Sequence, residues 1–157
     1  MSALSDLTGI YKVTASGESL DRGAWITRNP RVLLAPPDKR GGNLTVPRAA
    51  GTIAMPRRLD EVTGTLEMLF IGDVDRTGAD AADPSRQLLD NLFWFEANIY
   101  NAATTNNTVA ITVDGPGSFS KSGRIQWTSF EWGDNDNAAG LTTCRAALRF
   151  TIPQRLA

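Results

Sequence analysis

The chain has 157 residues, 41% of them hydrophobic and 21% charged, with a formal net charge of −1. This length and composition are typical of one globular domain over 1–157, which is long enough to bury a core of its own. The sequence has no histidine and one cysteine, which excludes Ser-His-Asp and Cys-His catalysis and any internal disulfide bond.

Short extended segments begin the chain. Gly9 to Val13 and Ala24 to Thr27 are predicted strands, and the polar residues 14–23 between them are predicted to form a turn or loop. The second strand is expected to end at Asn29-Pro30, a typical turn dipeptide. A brief apolar run follows at Val32 to Leu34.

The segment 28–58 differs from the rest of the chain in charge. It has seven basic residues and one acidic residue, whereas 59–140 has thirteen acidic and four basic residues. It also holds five of the eight prolines, and a segment so rich in proline and charge does not form a core of its own. We therefore predict an extended basic arm that meets an oppositely charged partner. The arginines expected in that contact are Arg28, Arg31, Arg40, Arg48, Arg57 and Arg58.

The longest predicted elements follow the arm. Residues 61–72 alternate between apolar and other side chains, which predicts a strand. After an acidic loop at 73–83, Asp83 is a suitable N-cap and Pro84 suits the first position of a helix over about 84–101. The stripe expected to be buried consists of Leu88, Leu92, Phe95 and Ile99, widened by Leu89, Phe93 and Tyr100. The aromatic run 93–95 is interpreted as core, with Trp94 or Tyr100 left to contact a neighbour, in preference to a ligand pocket.

Three more strands are predicted, at 109–113, 123–133 and 141–152. The alternation of the second changes parity near Ser129, which indicates a β-bulge. Residues 134–140 fit a long hairpin connection to the last strand. Several antiparallel strands and one helix predict a mainly β (α+β) fold, a β-sandwich with the helix on its flank.

Residues that could carry chemistry lack the partners that they need. Cys144 lies in the middle of a strand on its apolar face, so a buried, inert thiol is expected. The stretch 73–80 resembles a calcium loop, but its twelfth position is Pro84 where a bidentate Glu is required, so a polar loop without metal is preferred. No glycine-rich phosphate loop is present. We predict a protein that is not an enzyme and has no cofactor.

The basic arm has two interpretations. Binding of nucleic acid would use its charges against phosphates and aromatic side chains for stacking, but the arm contains no aromatic residue. Arginine also outnumbers lysine six to one in the arm, which suits pairing with carboxylates. Contact with protein is therefore preferred, and a nucleic-acid-binding module is the alternative.

No segment for targeting or for crossing a membrane is expected. No window approaches eighteen apolar residues, and Met1 to Leu7 is polar. Folding inside the cell is therefore expected.

A succession of short motifs resembles a known family. It runs from Asn43 to Arg48, through Gly51 to Ile53 and Pro56 to Arg58, into the long strand that ends in Phe70-Ile71-Gly72. It continues with a helix that carries Leu88, Leu92 and Asn98, and closes in Phe150-Thr151-Ile152-Pro153. Over about residues 8–153 this is similar to small tail proteins of long-tailed (siphovirus-type) actinobacteriophages, and specifically to the distal tail protein family.

The resemblance implies both a fold and a role. The fold is a β-sandwich or split barrel of the tail-tube type, with a flanking helix and a long arm. The role is structural: a homo-oligomeric, six-fold ring in the virion continues the tail tube and carries the tip, hub or baseplate proteins. Copies would be assembled in the host cytoplasm, with the arm of each lying on a neighbour and strand edges pairing between copies. Acidic residues would face a lumen through which DNA passes without specific binding.

Related proteins with the same core keep other roles open. The major tail tube subunit and the tail terminator are the alternatives within this class. The chain ends at Ala157, so no second, carbohydrate-binding-like domain and no direct host recognition are expected.

Overall fold

A computed structural model describes residues 11–37, 61–132 and 142–157, together with the backbone of four short strands within 39–59. The strands are β1 (Lys12–Ala15), β2 (Glu18–Ser19), β3 (Trp25–Thr27), β4 (Lys39–Arg40), β5 (Asn43–Thr45), β6 (Thr52–Ala54), β7 (Arg58–Leu59), β8 (Val62–Ile71), β9 (Val109–Asp114), β10 (Ser120–Trp132) and β11 (Thr143–Ile152). One α-helix, α1 (Pro84–Phe95), continues into a π-helical turn at Glu96–Tyr100, and a 3₁₀ turn covers Pro30–Leu34. No helix in the described ranges is long and apolar enough to cross a membrane.

Seven strands form one antiparallel sheet in the order β2-β1-β9-β10-β11-β8-β3. The pairing of β8 with β11 runs without interruption from Val62 opposite Ile152 to Ile71 opposite Thr143. Between β10 and β11 the register shifts between Trp127 and Ser129, which confirms the predicted bulge. The sheet curves into a half-barrel with α1 on its flank, so the predicted mainly β fold is confirmed.

The core lies between one face of the sheet and the helix. The strands supply alternate buried residues, as the period of two requires, and Cys144 is among them, 5% exposed as predicted. The helix supplies the predicted stripe of Leu88, Leu92, Phe95 and Ile99, all buried. The rings of Phe70 and Phe95 meet edge to face with centroids 5.2 Å apart, a geometry that adds about 0.5–1.5 kcal/mol to the burial of both side chains.

The first turn of the helix is fixed to the end of β8. Asp83 caps the helix by accepting a hydrogen bond from the Arg86 backbone N–H at 3.4 Å, and Pro84 takes the first position as predicted. The buried Asn91 amide donates to the carbonyls of Ile71 at 2.8 Å and Val74 at 3.0 Å. A Cβ at Gly72 would overlap the Pro84 carbonyl oxygen. These contacts fix the position of the helix N-terminus relative to the sheet.

Several predicted details are corrected. The interval 14–23 contains the short strand β2, and the apolar run at 32–34 belongs to the 3₁₀ turn. The α-helical hydrogen bonds end earlier than about 101, since the backbone changes to a π-helical turn after Phe95. Residues 134–140, predicted as a hairpin connection, lie outside the described residues.

The helix stripe is also narrower than predicted. Leu89 and Phe93 are 44% and 55% exposed, because the sheet covers one side of the helix only. Trp94 and Tyr100, one of which we expected to contact a neighbour, are both half-buried and pack on Trp25 and Phe130, with ring centroids 5.6 and 5.9 Å apart.

The predicted arm 28–58 has two parts. Its first ten residues pack on the body: Leu33 is fully buried, and the Arg28 backbone N–H donates to the Glu67 carbonyl at 2.8 Å. The second part is a β-hairpin in which the pair β4–β7 encloses the pair β5–β6. We call residues 39–59 the basic hairpin.

Candidate assembly surface

The two ends of the sheet meet at Asp21. This residue follows β2, and its carboxylate accepts the backbone N–H of Val13 in β1 at 3.0 Å and that of Thr27 in β3 at 3.3 Å. Since β1 lies near one end of the sheet and β3 forms the other end, one side chain joins both. Burial raises the pKa of Asp21, and the hydrogen bonds from Val13 and Thr27 oppose that rise. We call this junction the seam of the half-barrel.

Backbone groups along the seam form hydrogen bonds within the chain. The Trp25 carbonyl accepts from the Arg22 N–H at 2.8 Å, and the Ser19 carbonyl accepts from the Trp25 indole at 3.2 Å. Next to the seam, the side chain of Asn29 forms two hydrogen bonds to the backbone of β8, as a neighbouring strand would. Its amide donates to the Thr65 carbonyl at 3.0 Å and its oxygen accepts the Glu67 N–H at 2.7 Å. A neighbouring chain cannot pair with these groups unless the bonds are exchanged.

Of the six arginines predicted to contact another subunit, the structure describes the side chains of Arg28 and Arg31. The exposed Arg28 borders a shallow groove with Glu67, Glu131 and Arg145. Arg31 lies in the 3₁₀ turn with its guanidinium 5.7 Å from the centre of the Tyr11 ring. Arg48 and Arg57 lie outside the described residues.

The backbone of the other two predicted arginines is described. Arg40 in β4 and Arg58 in β7 are directly opposite each other in the strand register.

The acidic residues are concentrated on the loop 73–83 and the helix that follows. Residues 73–96 contain six acidic and two basic side chains, a balance of −4. The guanidinium of Arg76 lies 4.8 Å from the centre of the Trp94 ring, which holds the loop against the helix by a cation–π contact. We call residues 73–96 the acidic loop–helix unit.

The part of this loop that resembles a calcium site is occupied by its own hydrogen bonds. Oδ1 of Asp75 accepts the N–H of Thr77 at 2.8 Å, its hydroxyl at 2.5 Å and the N–H of Ala79 at 3.1 Å. The Thr77 hydroxyl is the main reason why the pKa of Asp75 lies below its ordinary value. Across the described ranges, no group of three or more His, Cys, Asp or Glu side chains is arranged to hold a metal ion.

The face of the sheet opposite the core carries charges of both signs. Alternation along the strands places four basic and three acidic side chains on it: Lys12, Arg124, Arg145, Arg149, Glu67, Asp114 and Glu131. Arg149 and Glu131 form an exposed ion pair at 3.8 Å. This face is therefore mixed, and the acidic surface lies on the loop–helix unit.

Two apolar side chains that the sequence predicted to be buried lie on the surface. Leu89 and Phe93 project from the helix away from the core, and among the described aromatic rings the Phe93 ring contacts Trp132, nearly at a right angle with centroids 5.7 Å apart. Their spacing matches a buried stripe. The distinguishing signal is the exposed ion pair of Arg86 and Asp90 beside them, at 3.4 Å on the same side of the helix.

No family model and no curated protein matches the sequence. The fold, however, matches a solved structure. It is shared with SPP1 Dit. That protein, gp 19.1, is described as a paradigm of the hub adsorption apparatus in phages that infect Gram-positive bacteria, and the TM-score is 0.59 at 13% sequence identity. The alignment covers 94% of this chain and 51% of the Dit chain, so this chain spans about half the length of Dit.

Proposed function

We propose that the chain is a structural, non-enzymatic protein of a bacteriophage tail. It forms a ring at the distal end of the tail and joins the tail tube to the tip or baseplate. The observation that supports this proposal is the fold shared with SPP1 Dit, which extends over 94% of the chain. The predicted arm and flanking helix agree with the same family.

A ring of identical copies needs two different surfaces that fit each other. Such a heterologous contact generates a closed ring when its rotation divides a full turn. The chain has two segments of opposite charge, the basic hairpin and the acidic loop–helix unit. Six copies would form the ring, with tail tube protein on one side and tip or hub proteins on the other. The mixed charge of the sheet face suits a lumen through which DNA slides without being held.

The test is the state of assembly of the purified protein. Light scattering after size exclusion is expected to give six times the 16.9 kDa of one chain, and electron microscopy should show single rings with a central opening. Long stacked tubes would favour the tube subunit instead. A monomer that persists at high protein concentration would contradict the proposal.

A gel-shift assay with duplex DNA separates the remaining alternative. No retardation is expected at physiological salt. Retardation that weakens steeply as salt rises would favour a nucleic-acid-binding module.

A further inference from the structure

We propose that the chain binds a neutral sugar unit in a pocket between the end of the π-helical turn and the middle of β10. The pocket has a volume of about 200 Å³, below the range of pockets that hold drug-sized ligands, so it suits a single ring. Binding does not depend on the proposed ring of subunits, because the described residues that line the pocket all belong to one chain.

The walls of the pocket carry polar groups that the chain does not use. They come from the side chains of Tyr100, Thr104, Asn107 and Gln126, none of which forms a hydrogen bond with another described residue. Val109 and Ile125, both buried, supply an apolar base, and the ring of Trp127 completes the lining. No charged side chain is among the described residues that line the pocket. The occupant is therefore neutral and both donates and accepts hydrogen bonds.

The backbone of β10 is also available at this position. Ile125 lies opposite Val109, the first residue of β9, so β10 continues past the end of its neighbour. The N–H and C=O of Ser122 bond to Ala157 on the other side of β10. Because backbone groups alternate in direction along a strand, those of Trp127 point to the side of β9, where the pocket lies. A ligand there can bond to the strand as well as to side chains.

Trp127 has a further unpaired group. Its indole Nε1 is buried and has no hydrogen-bond partner in the described chain, and a buried donor without an acceptor is unfavourable. The register shift that follows Trp127 marks the β-bulge, a feature that re-aims side chains and is common beside functional sites. A small rotation of the ring toward an acceptor in the pocket would remove the cost of the unpaired donor.

Contacts within the chain hold the walls in place without a ligand. The Tyr100 ring packs on Phe130 with centroids 5.9 Å apart. The turn that carries Asn107 is held by Arg124, whose Nε donates to the Thr108 hydroxyl at 3.0 Å and whose Nη2 donates to the Thr108 carbonyl at 2.8 Å. A site that is already formed loses less entropy when it binds a ligand.

A sugar ring meets these conditions. Its hydroxyl groups donate and accept hydrogen bonds around the rim, which suits the two amides and two hydroxyl groups of the walls. Its C–H face is apolar and packs on aromatic side chains such as those of Tyr100 and Trp127. An acetamido group adds a carbonyl acceptor for the indole N–H. N-acetylglucosamine is therefore expected to bind more tightly than glucose or galactose.

A titration followed by NMR tests the site on the full chain. The four tryptophans each give one indole N–H signal, and Trp127→Phe identifies the signal from the pocket. N-acetylglucosamine is expected to shift this signal to saturation with a Kd of about 1 mM, the affinity of a small ligand of ordinary efficiency. The signals of Trp25 and Trp94, which do not line the pocket, should stay in place.

Paired variants locate the binding. Tyr100→Phe removes one hydroxyl group from the pocket and keeps the ring, while Tyr11→Phe makes the same change outside it. Gln126→Ala removes an amide, and Gln154→Ala is its match outside the pocket. Each pocket variant is expected to raise Kd about two- to tenfold, the effect of one hydrogen bond, and each control should leave Kd unchanged. Circular dichroism checks that every variant is folded.

Several outcomes would overturn the proposal. If none of the three sugars gives a saturable shift, the pocket takes no sugar. If both pocket variants bind as the wild type does, or if the controls weaken binding equally, the sugar binds elsewhere. Acetamide that binds as tightly as N-acetylglucosamine would show that the pocket takes an amide side chain of a partner protein and not a sugar. Tighter binding of glucuronate than of glucose would show that charge decides the binding. None of these results bears on the proposed ring, which the state of assembly tests separately.

Discussion

Replacing Asp21 should weaken the protein more than replacement of other aspartates on strands or turns. Asp21→Ala removes the acceptor of two backbone N–H groups, those of Val13 and Thr27, at 3.0 and 3.3 Å. Thr27 lies in the edge strand β3, and Val13 lies in β1 just beyond the two residues, Thr14 and Ala15, that pair with β2. The change therefore opens the seam of the half-barrel.

The size of the effect follows from two opposing contributions. A hydrogen bond to a charged group contributes about 1.5–3 kcal/mol, so two bonds contribute roughly 3–6 kcal/mol. The cost of burying the carboxylate, which is the main cause of its raised pKa, offsets part of this gain. We expect a net loss of about 2–4 kcal/mol, which for a domain of this size lowers Tm by roughly 5–15 °C.

The pH dependence has a definite sign. Because the pKa of Asp21 is raised in the folded protein above 3.8, the folded state binds its proton at a higher pH than the unfolded state. Stability from this residue therefore increases as pH falls through the folded pKa toward 3.8. The unfolding free energy of the wild type minus that of Asp21→Asn should become more positive as pH falls over that interval, since Asn does not titrate.

Urea unfolding followed by circular dichroism measures these differences, with Asp114→Ala and Asp114→Asn as controls at an exposed strand position. Hydrogen exchange should show faster exchange at Val13 and Thr27 in Asp21→Ala, while Val113 stays protected. A loss below about 0.5 kcal/mol, the range of ordinary surface substitutions, would refute the role of the seam. A difference between wild type and Asp21→Asn that shrinks on acidification would refute burial as the dominant cause of the pKa shift.

Two further results are expected. Leu92→Ala should lower the free energy of unfolding, measured in urea, by about 2–5 kcal/mol, because Leu92 is 1% exposed. Leu89→Ala should change it by less than about 0.5 kcal/mol, because Leu89 is 44% exposed. Equal losses would show that both sides of the helix are buried. Millimolar calcium, or its removal by a chelator, should leave Tm unchanged, because Asp75 already bonds to Thr77 and Ala79; a rise in Tm on calcium addition would reveal a site.

Local patterns in the sequence predicted the main elements of the fold. The alternation around Leu66 and Met68 predicts a strand with one buried face, since the period of two depends on the geometry of the strand alone and not on which strands lie beside it. Asp83-Pro84 predicts the start of the helix, because capping depends on residues within one turn. The parity change near Ser129 predicted the bulge for the same reason.

What the sequence left open depends on contacts between distant elements. The role of Asp21 follows from the order of strands in the sheet, which brings β1 and β3 together, and no local pattern reports that order. Leu89 and Phe93 share the helical spacing of core residues, so their spacing does not show that the sheet covers only the other side of the helix. The six predicted arginines rest on charge alone, and charge does not reveal that Arg28 borders a groove on the body or that Arg40 lies opposite Arg58 in the strand register.

The position of the basic hairpin in the chain has a consequence for how the body folds. The hairpin interrupts the connection between β3 and β8, which are antiparallel neighbours with Trp25 opposite Phe70. In polymer terms it is an insertion in one loop, and each doubling of loop length adds only about 0.6 kcal/mol to the entropy of closure. Hairpins of different length can therefore be inserted between β3 and β8 at little cost in stability, so the length of the hairpin can vary while the half-barrel stays the same.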